Sequence, residues 1–202
     1  MRASQSAVFR RIDPFAILSF AIPLAVYLLT LAPSVTFFDS GEFITAIHSL
    51  GTAHSPGYPL FVNYGKPFTW LPFGNIAFRV NIATAVSASA ACFAVYFLTH
   101  YLLKREELVP DLRFSDTFAR LCGLAAALAF AFSARLWLQS NHDKPYPLVA
   151  FMTAMVFYLL VTWRERYDEG EMRPSHIYLG AFICGLATGA SLPHRKIGRA
   201  HV

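Results

Sequence analysis

The sequence predicts an all-α fold: a polytopic transmembrane helical bundle of about five spans, with interfacial helices in its first outer loop. Three observations point there. The 202 residues are 55% hydrophobic and 14% charged, against roughly 25% charged in soluble domains, and the mean hydropathy is +0.44. The apolar residues come in long blocks, the signature of membrane spans. The Lys and Arg residues gather at the ends of those blocks, where lipid head groups lie. The net charge of +5 therefore suits the bilayer as partner. No basic face interleaved with aromatics exists, which argues against nucleic acid. Cys92, Cys122 and Cys184 lie inside apolar blocks without metal spacing and read as small buried hydrophobes.

The five expected spans are 15–31, 76–103, 121–138, 148–163 and 177–192. The second is long enough to tilt or project beyond the lipid. The first follows Arg10 and Arg11 but no small-residue cleavage site follows it, so it reads as an uncleaved span. Basic residues set the orientation. Arg2, Arg10 and Arg11, then Lys104, Arg105, Arg113 and Arg120, then Arg164, Arg166 and Arg173, mark three segments on one side. The N-terminus is thus expected in the cytoplasm, with 32–75 and 141–145 outside. This makes an integral, multi-pass membrane protein, placed in the plasma (inner) membrane if the source is bacterial. Arg135, near the end of the third span, is costly in lipid unless it pairs or snorkels to the head groups.

The most polar cluster sits directly after the first apolar block, in "FFDSGEFITAIHSLGTAHSPGYPL", Phe37 to Leu60. "DSGE" reads as a capping box, with Asp39 at N-cap and Glu42 at N3. A helix follows and stops at Gly51, with Phe43, Ile44, Ile47 and Leu50 on one apolar face that would lie in the lipid interface. Lys66, Pro67, Trp70 and Pro72 suggest a second short interfacial helix. "SPGYPL" reads as a turn, with Tyr58 as an interfacial anchor. Asp39 and Glu42 have a second reading. A carboxylate at the lipid boundary has its basicity raised by desolvation and lowered by a nearby cation, which suits a general base. A helix N-terminus attracts anions, and His54 and Arg79 are the candidates to offset carboxylate repulsion there. For a divalent metal, the hard oxygen donors are Asp39, Glu42 and Asp143; the sequence requires none.

The stretch from Thr30 to Asn81 resembles the N-terminal signature of the DUF2723 membrane proteins, the family of the TMEM260-type protein O-mannosyltransferases. The motifs are Leu31 to Pro33, Asp39 to Phe43, His54 to Leu60, Leu71 to Asn75 and Arg79 to Asn81. The resemblance implies a GT-C type glycosyltransferase, with residues 1–195 as the N-terminal part of its transmembrane domain. It implies a polyprenyl-phosphate sugar donor, with mannose the sugar the family name points to, and a protein, glycan or lipid acceptor on the extracytoplasmic face. It also implies that Asp39 is the catalytic carboxylate and Glu42 its partner. His54, Tyr58 and Arg79 carry over as signature residues for substrate binding. One departure stands in the second outer loop, "WLQSNHDKPYPL", Trp137 to Leu148: the family's usual glutamate is replaced by Lys144, beside Asp143. Two readings stand for this loop: Lys144 contacts a phosphate and Asp143 supplies the displaced charge, or the segment is a solvated loop with a Pro-rich turn.

Two rival functions remain. A transporter or flippase places its carboxylates near the bilayer midplane, whereas no expected span here carries Asp or Glu in its interior. A non-catalytic assembly protein would tolerate loss of both carboxylates. No Walker loop, dinucleotide fingerprint, nucleophile elbow or His/Cys metal pattern is present. The closing "KIGRAHV", Lys196 to Val202, can be encoded by AAG ATC GGA AGA GCA CAC GTC, which contains the start of a common sequencing adapter. These residues are expected to be an artefact, and the chain a fragment of a longer protein.

Overall fold

The computed structural model describes residues 13–55, 57–105, 114–168 and 174–190. The expected artefact at 196–202 lies outside them, as do Arg2, Arg10, Arg11, Arg113 and Arg173. Only helices occur among the described residues: α1 (Pro14–Thr30), α2 (Ser40–Ser49), α3 (Pro59–Gly65), a 3-10 turn (Lys66–Trp70), α4 (Ile76–Leu103), α5 (Asp116–Ala131), α6 (Ala134–Ser140), α7 (Tyr146–Asp168) and α8 (Ser175–Thr188).

Helix α4 is the centre, packed against α1, α5 and α7, with α8 on α7. Its sequence explains this. Ala83, Ala85, Ala88, Ala91, Cys92 and Ala94 are all buried, so α4 has small residues on every side and neighbouring backbones can approach closely. At Gly123 of α5, a Cβ would lie 3.0 Å from the Tyr96 ring of α4 and 3.1 Å from its carbonyl oxygen. One end of the bundle is tied by Asp13, which caps α1 through Phe15 N–H, accepts from the Tyr96 hydroxyl and pairs with Arg120 of α5. At the other end Tyr27 Oη donates to the Ala131 carbonyl at 2.7 Å.

By length and apolarity, α4 and residues 146–164 of α7 qualify as spans among the described residues, and α5 with α6 makes a third if the bent pair counts as one. Helices α1 and α8 are apolar but have 17 and 14 residues. The expected continuous span 121–138 is broken: α5 and α6 meet at 66°. The break falls at Phe132–Ser133, where Ser133 leaves helical geometry and N-caps α6 through Leu136 N–H.

The first outer loop differs from expectation in two ways. The apolar face of α2 does not point into lipid. Phe43, Ile44 and Ile47 are buried against Phe61 and Val62 of α3 and Val80 of α4, and only Leu50 of that face is exposed. The loop shares a core with α4 and α7, through Val80, Leu148 and Met152, and α3 supplies its second apolar surface. The turn signal of "SPGYP" masks that helix in the sequence: Pro59 sits at its first position, with Tyr58 left-handed at φ 50° before it. The second interfacial helix is a 3-10 turn that continues α3.

Candidate functional site

The capping box does not form. Asp39 occupies the N-cap position of α2, but its side chain makes no cap hydrogen bond. Its carboxylate faces the second outer loop instead, where Lys144 Nζ donates to Oδ2 at 3.1 Å. Lys144 is buried, with 8% of its side chain exposed, while Asp39 is 55% exposed. The ammonium also lies 5.8 Å from the Phe43 ring and 6.0 Å from the Phe38 ring, a favourable setting for a desolvated cation. The hydrogen bond from Lys144, then its charge, holds the Asp39 carboxyl below the usual carboxylate range.

Glu42 turns toward the segment after α2. Its Oε2 lies 3.0 Å from His54 Nδ1, and its Oε1 accepts the backbone N–H of His54. His54 Nε2 lies 3.4 Å from Tyr58 Oη. The Phe43 ring stands between the two polar pairs, with centroids 5.4 Å from His54, 5.0 Å from Tyr58 and 5.5 Å from Phe61. Burial pushes the Tyr58 hydroxyl above its ordinary pKa, and Tyr146, Asp39 and Glu42 push it further.

Asp143 is fully buried beneath Lys144. Its Oδ1 accepts from Thr84 Oγ1 at 3.3 Å, and its Oδ2 has no partner. Burial pushes its carboxyl well above the usual range, and Thr84 and Lys144 only partly oppose this.

Five of the seven residues singled out in the sequence thus converge: Asp39, Glu42, His54, Tyr58 and Lys144. Asp143 supports them from below. Arg79 is engaged elsewhere. Its guanidinium donates to the carbonyls of Phe73 at 2.7 Å, Gly74 at 2.8 Å and Thr69 at 3.1 Å. Asn75 and Asn81 fasten the chain after α1, donating to Pro33 at 2.9 Å and Ala32 at 3.0 Å. The signature therefore divides into residues that make the cluster and residues that hold the loops carrying it. Sequence reasoning missed Phe43 as the spacer ring and Thr84 as the partner of Asp143. Glu42–Phe43 adjacency hinted at the first; nothing in α4 marked the second. Arg135 is exposed and, with Gln139 and Tyr146, lines a cavity of about 380 Å³.

The three oxygen donors do not fit a metal cage. Asp39 is committed to Lys144, Glu42 to His54, and Asp143 is buried. Among the described residues no group of three or more His, Cys, Asp or Glu side chains is gathered for an ion.

No solved structure matches this chain. Curated relatives do, among them the two that follow. The mouse protein named Protein O-mannosyl-transferase TMEM260 is 34% identical over 169 residues, covering 83% of this chain and 22% of the relative. The Dictyostelium discoideum protein named Protein O-mannosyl-transferase tmem260 is 30% identical over 172 residues, covering 80% of this chain and 19% of the relative. The chain spans about a fifth of the length of either. The profile described as "Protein O-mannosyl-transferase TMEM260 N-terminal domain" matches residues 39–193, beginning on the carboxylate that Lys144 holds. The chain belongs to this TMEM260 N-terminal domain family.

Proposed function

We propose that this chain is the N-terminal part of a membrane glycosyltransferase of GT-C type. The enzyme moves a sugar, taken as mannose from the names of its relatives, from a polyprenyl-phosphate donor to a hydroxyl acceptor on the extracytoplasmic face. The acceptor class suggested by those names is a protein. The observation that carries the reading is the paired cluster itself: two carboxylates at the N-terminus of α2, Asp39 at its N-cap and Glu42 in its first turn, each tied to a basic side chain from a different segment. On the positive-inside reading of the basic flanks, the N-terminus lies in the cytoplasm and this cluster outside.

The chemistry follows from the environments. Enzymes assign acid and base roles by pushing titratable groups apart. Lys144 pulls the Asp39 carboxyl toward its ionised form, whereas burial pushes Asp143 toward its neutral form. Asp39 is the base. It takes the proton of the acceptor hydroxyl as that oxygen bonds to the anomeric carbon. The bond from that carbon to the phosphate oxygen breaks, the electron pair leaves with the phosphate, and attack from the opposite side inverts the centre. Protonation of Asp39 removes the counter-charge of Lys144 just as the phosphate gains one, so Lys144 is the cation that meets it. Asp143, lying beneath, avoids a second negative charge next to that ammonium.

The test is transfer by the full-length protein in membranes, supplied with lipid-phosphate sugars. Asp39→Asn should lower transfer at least about 100-fold in protein that still folds. Undiminished transfer by that variant would remove Asp39 from the chemistry. Tolerance of loss at both Asp39 and Glu42 would favour an assembly role instead.

A further inference from the structure

Glu42 touches both His54 nitrogens that face it, the backbone N–H and Nδ1. An ionised carboxylate only accepts hydrogen bonds. Neutral His54 therefore carries its proton on Nδ1 and presents a bare lone pair at Nε2. The group facing Nε2 is Tyr58 Oη, at 3.4 Å, the long end of hydrogen-bond reach. Tyr58 has one proton, and Nε2 takes it. What remains on the phenol oxygen is acceptor capacity alone.

A loop fastener would not need this arrangement. The backbone N–H of His54 already ties the loop to Glu42, and the ring could turn outward to water. Instead the ring is sandwiched between Glu42 and Tyr58 and packed on Phe43. Tyr58 is itself fixed: 8% exposed, left-handed in backbone, and locked ahead of Pro59. The titratable groups around its hydroxyl are His54, Asp39, Glu42 and Tyr146. Tyr146 in turn opens on the cavity that Arg135 and Gln139 line.

We propose that Glu42, His54 and Tyr58 form a hydrogen-bond relay in which Glu42 fixes the tautomer of His54 and His54 fixes the polarity of Tyr58, so that Tyr58 Oη receives the hydrogen bond of an acceptor hydroxyl and orients it for Asp39. This rests on the transferase reading above and refines it. Glu42 is then a positioning residue that acts through His54, not a second base. Tyr58 selects for an acceptor that donates a hydrogen bond.

The experiment uses the full-length protein in lipid nanodiscs with ¹⁵N-labelled histidine. A His54→Gln sample identifies the His54 resonances. At neutral pH, wild type should show His54 protonated on Nδ1 and bare at Nε2. Glu42→Gln, whose amide can donate to Nδ1, should move the proton toward Nε2. In transfer assays Tyr58→Phe should raise the acceptor KM about fivefold or more, the worth of one neutral hydrogen bond, with the donor KM unchanged. A wild-type His54 protonated on Nε2 overturns the relay whether or not the protein transfers sugar. An acceptor KM unmoved in Tyr58→Phe overturns the role of Tyr58. Failure of every lipid-phosphate sugar removes the transferase reading instead, and the nitrogen spectra still decide the relay.

Discussion

Lys144 Nζ donates to Asp39 Oδ2 at 3.1 Å across 105 residues of sequence, and the pair is lopsided: the lysine is buried and the aspartate half exposed. That asymmetry predicts unequal mutants. Asp39→Asn strands a buried ammonium, whereas Lys144→Met leaves a carboxylate that water can solvate. The first should cost about 1–2 kcal/mol, below the roughly 3–5 of a fully buried pair because half of it is already wet. The second should be near neutral, and the double variant should recover most of the loss. Thermal unfolding in detergent checks the order. Equal costs would mean that Lys144 finds another partner.

The same contact predicts a pH shift. Asp39 has a depressed pKa when folded, so the stabilisation it gives Lys144 is present above its unfolded pKa and fades as pH falls through the folded value. Lys144→Met removes the cause. The acidic limb of the transfer rate should then move to higher pH. An unmoved limb would assign that ionisation to another group.

Asp143 behaves in the opposite sense. Its carboxyl is pushed up by burial, so the folded state resists ionisation that the unfolded state allows. Below the unfolded pKa both states are protonated and nothing is lost; above it, stability drains away as pH rises toward the folded pKa. Asp143→Asn keeps the shape and the acceptor for Thr84 while abolishing the ionisation. It should match wild type in acid and exceed it at neutral pH, by a margin that grows between the two. Melting temperatures at pH 4 and pH 7 measure this.

How legible the molecule was in its sequence follows from what each feature depends on. The long helices α4 and α7 follow from hydropathy alone, which is local. The break between α5 and α6 does not, because Phe132 and Ser133 sit inside an apolar block that passes for one span, and only the cap at Ser133 gives it away. Asp39 and Glu42 are visible as a pair, and His54, twelve residues after Glu42, is a candidate to neutralise them; Lys144 as the partner of Asp39 is not. A capping box is satisfied within four residues, whereas Lys144 arrives from 105 residues away, and a single sequence carries no signal of that. Helix α3 was hidden because Pro59 serves a turn and a helix start equally well.

Arg79 offers a sharper test of signature residue against site residue. Its fork holds three carbonyls of the Thr69–Gly74 turn, a geometry that lysine cannot reproduce. Arg79→Lys should lower stability by about 1–3 kcal/mol and open that turn to protease, while the acceptor and donor KM of the folded fraction stay put. A changed donor KM at full stability would place the guanidinium on substrate instead.

The crossing of α4 and α5 sets two opposed effects against each other at Gly123. Alanine in a helix interior gains about 1 kcal/mol over glycine, so an open position would be stabilised. Here the new methyl meets the Tyr96 ring at 3.0 Å and its carbonyl oxygen at 3.1 Å. The ring can tilt a little, but the carbonyl belongs to the backbone of α4, which α1 and α7 clamp from other sides. Overpacking of this kind costs about 1–3 kcal/mol and should win. Tyr96 also donates to Asp13, so displacing it loosens the cap of α1. Gly123→Ala should therefore lower the melting temperature, and pairing it with Tyr96→Phe should cost less than the two single losses added, since both act through one ring. A raised melting temperature in Gly123→Ala would show that α4 and α5 lie farther apart than this packing requires.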